Sequence, residues 1–354
     1  MLADFCQLYN AALEQRIDAW RRRRISVTYK MQADELKAVR CAAPEFARWS
    51  FSAEQQVLRR LDKAFRAFFV RLKRGDKPGF PRFRACSRFH AAEFRVGNGL
   101  TIRKSGRIGF VGVPGEVKVK WHRELPSKPK SAILTRQAGK WYVIFHVEVD
   151  AVKRANHDSI GIDFGLSNLI ALSNGQIAPR PNWTKRAARE LRRRQRAIAR
   201  CKRGSTTRAK RKAALARFHA RVAAKRRDHL HKISRDLVDR FGRIAIEDLN
   251  VKGLASGMLA KHVHDASWAQ LTAMLDYKAA RAGVELVKVD PRGTSQTCPE
   301  CGTIRAKTLA EREHRCDCGC RLDRDVAAAM VVHYRAFGFW PGTGLGTLSE
   351  PVAA

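Results

Sequence analysis

Between Cys298 and Asp325 the chain gathers five of its nine cysteines and then an acidic run, reading TCPECG, 14 residues between Cys301 and Cys316, CDCGC and LDRD. The spacing Cys298-x2-Cys301 and Cys316-x-Cys318 offers four thiolates from two tight turns, the donor set of a tetrahedral zinc site. With four sulfurs and no open position, one zinc ion held there is structural rather than catalytic. His314 and Cys320 stand close enough to compete for the fourth place; Cys318 is followed by Gly319. Two further carboxylates sit in strand-like surroundings, Asp163 in SIGIDFG and Glu247 in RIAIED, and Asp325 follows the cysteines in LDRDVAAA. A carboxylate on a buried apolar strand costs roughly several kcal/mol unless something cationic meets it. Each acid alone has a plainer explanation: a turn aspartate for Asp163, a solvated strand end for Glu247, a helix N-cap for Asp323 or Asp325.

The elements that must position these groups are legible in the periodicity. Residues 1–72 carry apolar stripes at helical spacing, Leu2, Phe5, Leu8, Tyr9, Ala12, Leu13, Ile17 and Trp20, then Leu58, Leu61, Phe65, Phe68, Phe69 and Leu72. From Glu93 to Val149 the period becomes two, in the short runs EFRV, LTIR, GRIGFV, EVKVKW and WYVIFHVEV, which predicts a small antiparallel barrel. Further on, SIGID and the strand through IALSNG read as a hairpin presenting Asp163, RIAIE as a second buried strand ending in Glu247, and LDRDVAAAMVV as a helix start bearing Asp325. That order, hairpin with Asp, strand with Glu, helix with Asp, is the layout of an RNase H-like fold in which three carboxylates converge. Acids so close raise one another's pKa, and bound Mg²⁺ relieves the conflict. Two such ions roughly 4 Å apart serve the attacking water and the leaving oxygen of a phosphodiester.

Composition points to a polyanionic partner. The chain has 354 residues, 70 Lys and Arg against 33 Asp and Glu, and a formal net charge of +37. Residues 181–235 hold 21 Lys and Arg against Glu190 and Asp228, a net +19, on a predicted helical hairpin turning at Gly204-Ser205-Thr206. So many like charges on adjacent helices repel unless phosphates lie between them, which singles out Arg192, Arg193, Arg194, Arg196, Lys210, Arg211 and Lys212. A second basic stretch, KRGDKPGFPRFR, offers Lys77, Arg82 and Arg84 to phosphates and Phe80 or Phe83 as stacking faces, with a solvated turn as the alternative. No apolar run of about 18 residues predicts a membrane span, and nothing resembles a signal peptide. A cytoplasmic, nucleoid-associated protein with reduced cysteines is expected.

Taken in order, GIDFGLSNLIALSNG, IAIEDLNVKGL, TSQTCPECG and CDCGCRLDRDVAAA resemble TnpB, the RNA-guided DNA endonuclease family of bacterial insertion sequences, related to type V CRISPR effectors. KPGFPRFR and YNAALEQR extend the resemblance over nearly the whole chain. It implies a multidomain α+β protein: a helical recognition region over 1–90, a wedge-like barrel over 91–155, a RuvC-like nuclease over 156–297 containing the basic hairpin at 181–240, a zinc ribbon over 298–320, a last nuclease segment over 321–337 and a disordered tail over 338–354. It implies Asp163, Glu247 and Asp325 as catalytic, Mg²⁺-binding acids, and Cys318 as the fourth zinc ligand by its spacing from Asp325. It implies a guide RNA from the protein's own element and double-stranded target DNA bearing a short adjacent motif. Base pairing then reads the target, so the protein needs many backbone contacts and few base-edge contacts.

The chain departs from that pattern in three places. Ala327 stands where the family usually has Asn two residues after the last acid, which removes a contact to Asp325 but no ligand. The second knuckle is shortened to Cys316-x-Cys318. The strand that ordinarily precedes the YNAAL helix is not seen, so a misassigned start or a truncated element is expected. Val251 to Ser267 reads as a surface loop near Glu247. Two other classes fit the same residues: a DNA-joining transposase on an RNase H-like fold, disfavoured because such triads usually end in Glu, and an RNA-guided DNA-binding repressor without cleavage, disfavoured because all three acids are present.

Overall fold

A computed structural model describes residues 1–150, 156–254, 256–257, 260–308 and 311–341, and the chain divides into two compact units, Met1–Val149 and Asp150–Ala354. In the first, helices α1 (Leu2–Arg23), α2 (Tyr29–Ala42), α3 (Pro44–Ala47) and α4 (Phe51–Lys73) precede strands β1 (Ala91–Val96), β2 (Gly99–Ile102), β3 (Ile108–Phe110), β4 (Ser131–Gln137) and β5 (Lys140–His146). Thr28 and Ser50 cap α2 and α4 by accepting hydrogen bonds from the amides of Met31 and Ala53, 3.4 Å each. The helical stripes and the alternating strands share one core, including Phe5, Tyr9, Leu13, Leu58, Leu61, Phe94, Leu100 and Ile108. The helical and β segments expected as separate regions therefore fold together, because neither apolar face is buried alone.

The predicted barrel takes the form of a five-stranded sheet, ordered β3-β2-β1-β4-β5, whose end strands β3 and β5 do not pair with each other among the described residues. Strand β4 was not among the predicted runs, although it pairs with both β1 and β5. The run EVKVKW forms only an isolated bridge, Ile108 to Val117. The stripe assigned to core on α4 leaves it at its far end: Phe69 and Leu72 are 51% and 53% exposed.

The second unit carries the acids. Its strands are β6 (Ser159–Asp163), β7 (Asn168–Leu172), β8 (Ile177–Pro179), β9 (Arg243–Glu247) and β10 (Glu285–Val289), in the order β10-β9-β6-β7-β8. Pairing is antiparallel among β6, β7 and β8 and parallel among β6, β9 and β10. Between β8 and β9 run α5 (Trp183–Ala199) and α6 (Thr206–Arg240), the expected basic hairpin, with Ser205 accepting from the amide of Arg208 at 3.2 Å to start α6. After β9 come short helices α7 (Val251–Leu254) and α8 (Ala260–Ala266) in place of the expected loop, then α9 (Trp268–Ala282). A two-stranded hairpin, β11 (Glu313–Arg315) and β12 (Arg321–Asp323), leads into α10 (Arg324–Phe337).

Strand alternation sorts the two faces of this sheet. Ile160, Ile162, Ile244 and Ile246 join Leu230, Leu237, Leu271 and Leu275 of α6 and α9 in the main core. Gly161 and Ala245 belong to the opposite face, against α10. A Cβ at Gly161 would lie 2.2 Å from the carbonyl oxygen of Ala329, so only glycine admits α10 this close. His333 fixes the same contact, with Nε2 2.7 Å from Ser159 Oγ and Nδ1 3.0 Å from the carbonyl oxygen of Phe339. Phe339 and Trp340 thus pack back on α10, Trp340 stacking on Tyr334 at 4.2 Å, and the tail expected from residue 338 does not begin there; residues 342–354 of that expectation lie outside the described residues.

Candidate metal centres and nucleic-acid surfaces

Asp163 and Glu247 end neighbouring parallel strands, one step beyond the pair Ile162 and Ile246. By period two they share the face of Gly161 and Ala245, which is the face α10 covers. Asp325 lies in the first turn of α10. The plainer role of N-cap goes to Asp323, whose Oδ1 accepts from the amides of Asp325 and Val326 at 2.9 and 3.3 Å. The Asp325 carboxylate instead faces β7, where Asn168 Nδ2 donates to its Oδ2 at 3.4 Å, and Gly165, at which a Cβ would lie 3.4 Å from that oxygen.

The electrostatics are those of crowded acids. Burial first, then the carboxylates of Glu247 and Asp325, pushes the Asp163 carboxyl well above its usual range, with Arg324 opposing. Burial also raises Glu247, against a 2.6 Å hydrogen bond from Thr294 Oγ1 and the nearby charge of Arg335. The three do not bring single oxygens all within 4.8 Å of one another, a condition met among the described residues by a four-cysteine group and by Cys298, His314 and Cys320. Hard oxygen donors that raise one another's pKa suit divalent Mg²⁺.

The cysteine cluster is tighter. The Sγ atoms of Cys298, Cys301, Cys316 and Cys318 all lie within 4.8 Å of one another, with Cys298–Cys318 at 3.7 Å and Cys301–Cys316 at 3.5 Å. Four sulfurs at about 2.3 Å from a tetrahedral zinc ion would stand about 3.8 Å apart, whereas a disulfide needs about 2.05 Å. Two turns build the cluster: the amide of Cys298 donates to Thr303, that of Gly302 to Cys298, and that of Gly319 to Cys316. Hydrogen bonding with Thr303 pulls the Cys301 thiol down to about 6, whereas, against a hydrogen bond with the Cys320 backbone, burial and the neighbouring sulfurs push Cys318 up to about 12, as crowded thiols with no cation between them must. Cys320 is grouped instead with Cys298 and His314, all three buried, on a set separate from Cys301, Cys316 and Cys318. Among the described residues His314 Nε2 has no hydrogen-bond partner, and Lys307 contacts its Nδ1.

The basic candidates are exposed but not equally free. On α5 and α6, Arg192, Arg196, Lys210 and Lys212 point to solvent, while Arg193 and Arg194 pair with Glu190 at 2.8 and 2.7 Å. Arg211 donates to the carbonyl of Ala197 at 2.6 Å, and a cavity of about 210 Å³ lies among Arg193, Arg194 and Arg211. In the first unit Lys77, Arg82 and Arg84 are exposed, and Asn10 clamps the backbone of Arg84 through bonds of 2.8 and 2.9 Å. Phe80 meets Phe65 and Phe68 edge-on at 5.6 and 5.3 Å, so one side of its ring is committed to packing. Phe83, 56% exposed, is the freer stacking face.

Sequence reasoning missed Asn168, Thr294 and Arg335. Isolated polar residues carry no periodic signal, and nothing before folding ties them to acids 157, 47 and 88 positions away.

A family profile described as "Probable transposase" matches residues 142–257, and another described as "Cas12f1-like, TNB domain" matches residues 268–332. A protein of Streptomyces pristinaespiralis named "Putative RNA-guided DNA endonuclease" is 35% identical over 92% of this chain and 82% of its own length. InsQ of Escherichia coli K12, described in the same words, is 28% identical over 74% of this chain and 68% of its own. Among solved structures, a Cas12f1–sgRNA–target DNA complex aligns with 93% of this chain and 80% of that chain at a TM-score of 0.61 and 13% identity, which shows a shared fold. Sequence, site geometry and relatives agree: the chain belongs to the TnpB family of RNA-guided DNA endonucleases.

Proposed function

We propose that the protein binds a guide RNA from its own element and cuts double-stranded DNA beside a short adjacent motif, with Asp163, Glu247 and Asp325 as the catalytic acids of an RNase H-like nuclease unit. The observation that carries this reading is that Asp163 and Glu247 end neighbouring parallel strands on the face α10 covers, with Asp325 in the first turn of α10, and that the carboxylates of Glu247 and Asp325 each raise Asp163 further above its ordinary range. Such a cluster is unfavourable alone and favourable around cations. Two Mg²⁺ ions there would supply an activated water and stabilisation of the leaving oxygen. The three acids would hold the ions, with Asn168 orienting Asp325. That contact takes up a role for which the family pattern offered Asn where this chain has Ala327.

The four-sulfur cluster would hold one structural zinc ion through Cys298, Cys301, Cys316 and Cys318, which would close the loop between β10 and α10 so that Asp325 returns to the sheet. The exposed arginines and lysines of α5 and α6 take guide or target phosphates, and the loop over 73–84 contributes Lys77, Arg82, Arg84 and the ring of Phe83. Among the described residues no helix is long and apolar enough to cross a membrane, and a cytoplasmic, nucleoid-associated location is the proposal that fits the charge.

The test is to express the protein with its native flanking DNA, sequence the RNA that co-purifies, and programme it against a matched plasmid. A discrete RNA from the edge of the element and Mg²⁺-dependent cutting are expected, with Asp163→Ala lowering cutting by at least about 10³-fold, several kcal/mol, while target binding persists. Random cellular RNA, or joining of element ends instead of cutting, would overturn it. Guided binding without cutting by the wild-type protein would make it a repressor.

A further inference from the structure

The root of the cysteine hairpin touches the carboxylate cluster at one residue. Thr294 is 4% exposed, and its Oγ1 lies 2.6 Å from Oε1 of Glu247, itself 7% exposed. The same hydroxyl lies 3.0 Å from the carbonyl oxygen of Pro291. A hydroxyl has one proton, and the shorter, charge-assisted contact to an ionised carboxylate takes it. One lone pair of Oε1 is thereby engaged, which turns the carboxylate so that Oε2 offers the less encumbered oxygen to a cation.

The segment carrying Thr294 is braced from three sides. Gly293 adopts φ +71°, a conformation an L side chain resists, and accepts at its carbonyl from the amides of Gln296 and Thr297 at 3.0 Å each. Arg335, from the last turn of α10, donates to the carbonyls of Asp290 and Arg292 at 2.8 and 2.7 Å. Lys307, from within the cysteine segment, donates to the carbonyl of Ser295 at 3.0 Å. The segment's own turn and two other elements therefore fix the position of one hydroxyl against one carboxylate oxygen. A buried threonine needing only to satisfy its own hydroxyl has Pro291 for that purpose, so the Glu247 contact is an arrangement beyond the minimum.

We propose that Thr294 is a positioning residue that engages one oxygen of Glu247 and presents the other to the divalent cation, coupling the root of the cysteine hairpin to metal binding at the carboxylate cluster. This rests on the catalytic reading of Glu247 given above. It implies that the hydroxyl matters to metal affinity more than to the chemical step at saturating metal.

The experiment compares Thr294→Val, which keeps the shape and removes the proton, with Thr294→Ser, which keeps the proton, in the full chain with guide RNA. Cleavage is followed against Mg²⁺ concentration, Mn²⁺ binding to the guided complex is measured by electron paramagnetic resonance, and zinc content and Tm are recorded. Thr294→Val is expected to raise the half-saturating Mg²⁺ and the Mn²⁺ Kd by about 10–100-fold, as loss of a ligand-orienting partner does, with zinc unchanged. Thr294→Ser is expected to restore both to within about 2-fold, since it returns the hydroxyl that orients the ligand. Unchanged metal dependence in Thr294→Val, a rate loss that no Mg²⁺ concentration recovers, or a serine variant as defective as the valine one would overturn the proposal. Glu247→Gln separates the two readings: if that variant cuts at the wild-type rate, the catalytic assignment fails whatever Thr294 does.

Discussion

The two metal-capable centres of the second unit are built in opposite ways. The sulfur cluster draws all its atoms from 21 consecutive residues, Cys298 to Cys318, and two turns bring them all within 4.8 Å of one another, with two of the pairs at 3.5 and 3.7 Å. The carboxylate cluster draws on Asp163, Glu247 and Asp325, 162 positions apart end to end, and does not close to 4.8 Å. A soft, four-coordinate ion that never leaves is served by a short, local, closed cage. Hard ions that must admit water and a phosphate would be served by acids spaced along a sheet edge, held by a core that exists without them.

If that contrast is right, the sulfur cluster should be the more damaging to break. Cys298→Ser should strip the zinc ion, whose binding free energy of about 10–16 kcal/mol in comparable sites is folding free energy for the hairpin, and proteolysis over residues 298–323 should rise sharply. A folded, zinc-free variant that cuts at full rate would show that the hairpin does not place Asp325. A finer version separates the two sulfur groups. Cys318→Ser should lose most of the zinc, whereas Cys320→Ser should retain it, measured by metal analysis of purified protein. Equal loss in both would mean that the two groups exchange the ion.

The basic hairpin lies between these extremes, because its effect is additive and screened. Replacing Arg192, Arg193 and Arg196 together by Gln should weaken RNA binding at every sequence and flatten the dependence of log K on log salt by about 2, roughly 0.7 per lost phosphate contact. An unchanged slope would place the RNA elsewhere. The smallest expected effect concerns the carboxylates in the absence of metal. Because Asp163 has a folded pKa above its unfolded value, the folded state is favoured while the group is protonated, and that advantage is lost as pH rises through the folded pKa. Asp163→Asn should therefore raise the Tm of metal-free protein at neutral pH by about 2–4 °C for each kcal/mol relieved. The gain should vanish when the pH falls below about 4, where the unfolded carboxyl is protonated as well. A lower Tm for the variant at neutral pH would mean that Asp163 has partners other than its fellow acids.

Legibility in the sequence followed the range of the interaction. The basic hairpin, its turn at Gly204–Ser205 and the strands bearing Asp163 and Glu247 were all readable, since charge runs and period-two patterns act within a few residues. Strand β4 was not, because SAILTRQ alternates weakly and is made a strand by β1 and β5 on either side. The far end of α4 shows the reverse: Phe69 and Leu72 sit at perfectly good core spacing and have no element to cover them within their unit.

The sequence by itself determined a zinc-competent set of cysteines, an RNA-scale positive charge and three acids in the order of an RNase H-like layout, because spacing and composition are local properties. Only the tertiary structure decided which acid caps α10 and which faces the sheet, which cysteine joins the four-sulfur group, and that Asn168 and Thr294 hydrogen-bond to the carboxylates. Those outcomes depend on Gly161 letting α10 against β6 and on the register that sets Ile162 beside Ile246. A hydrogen bond across 157 residues exists only once the sheet has brought its two ends together.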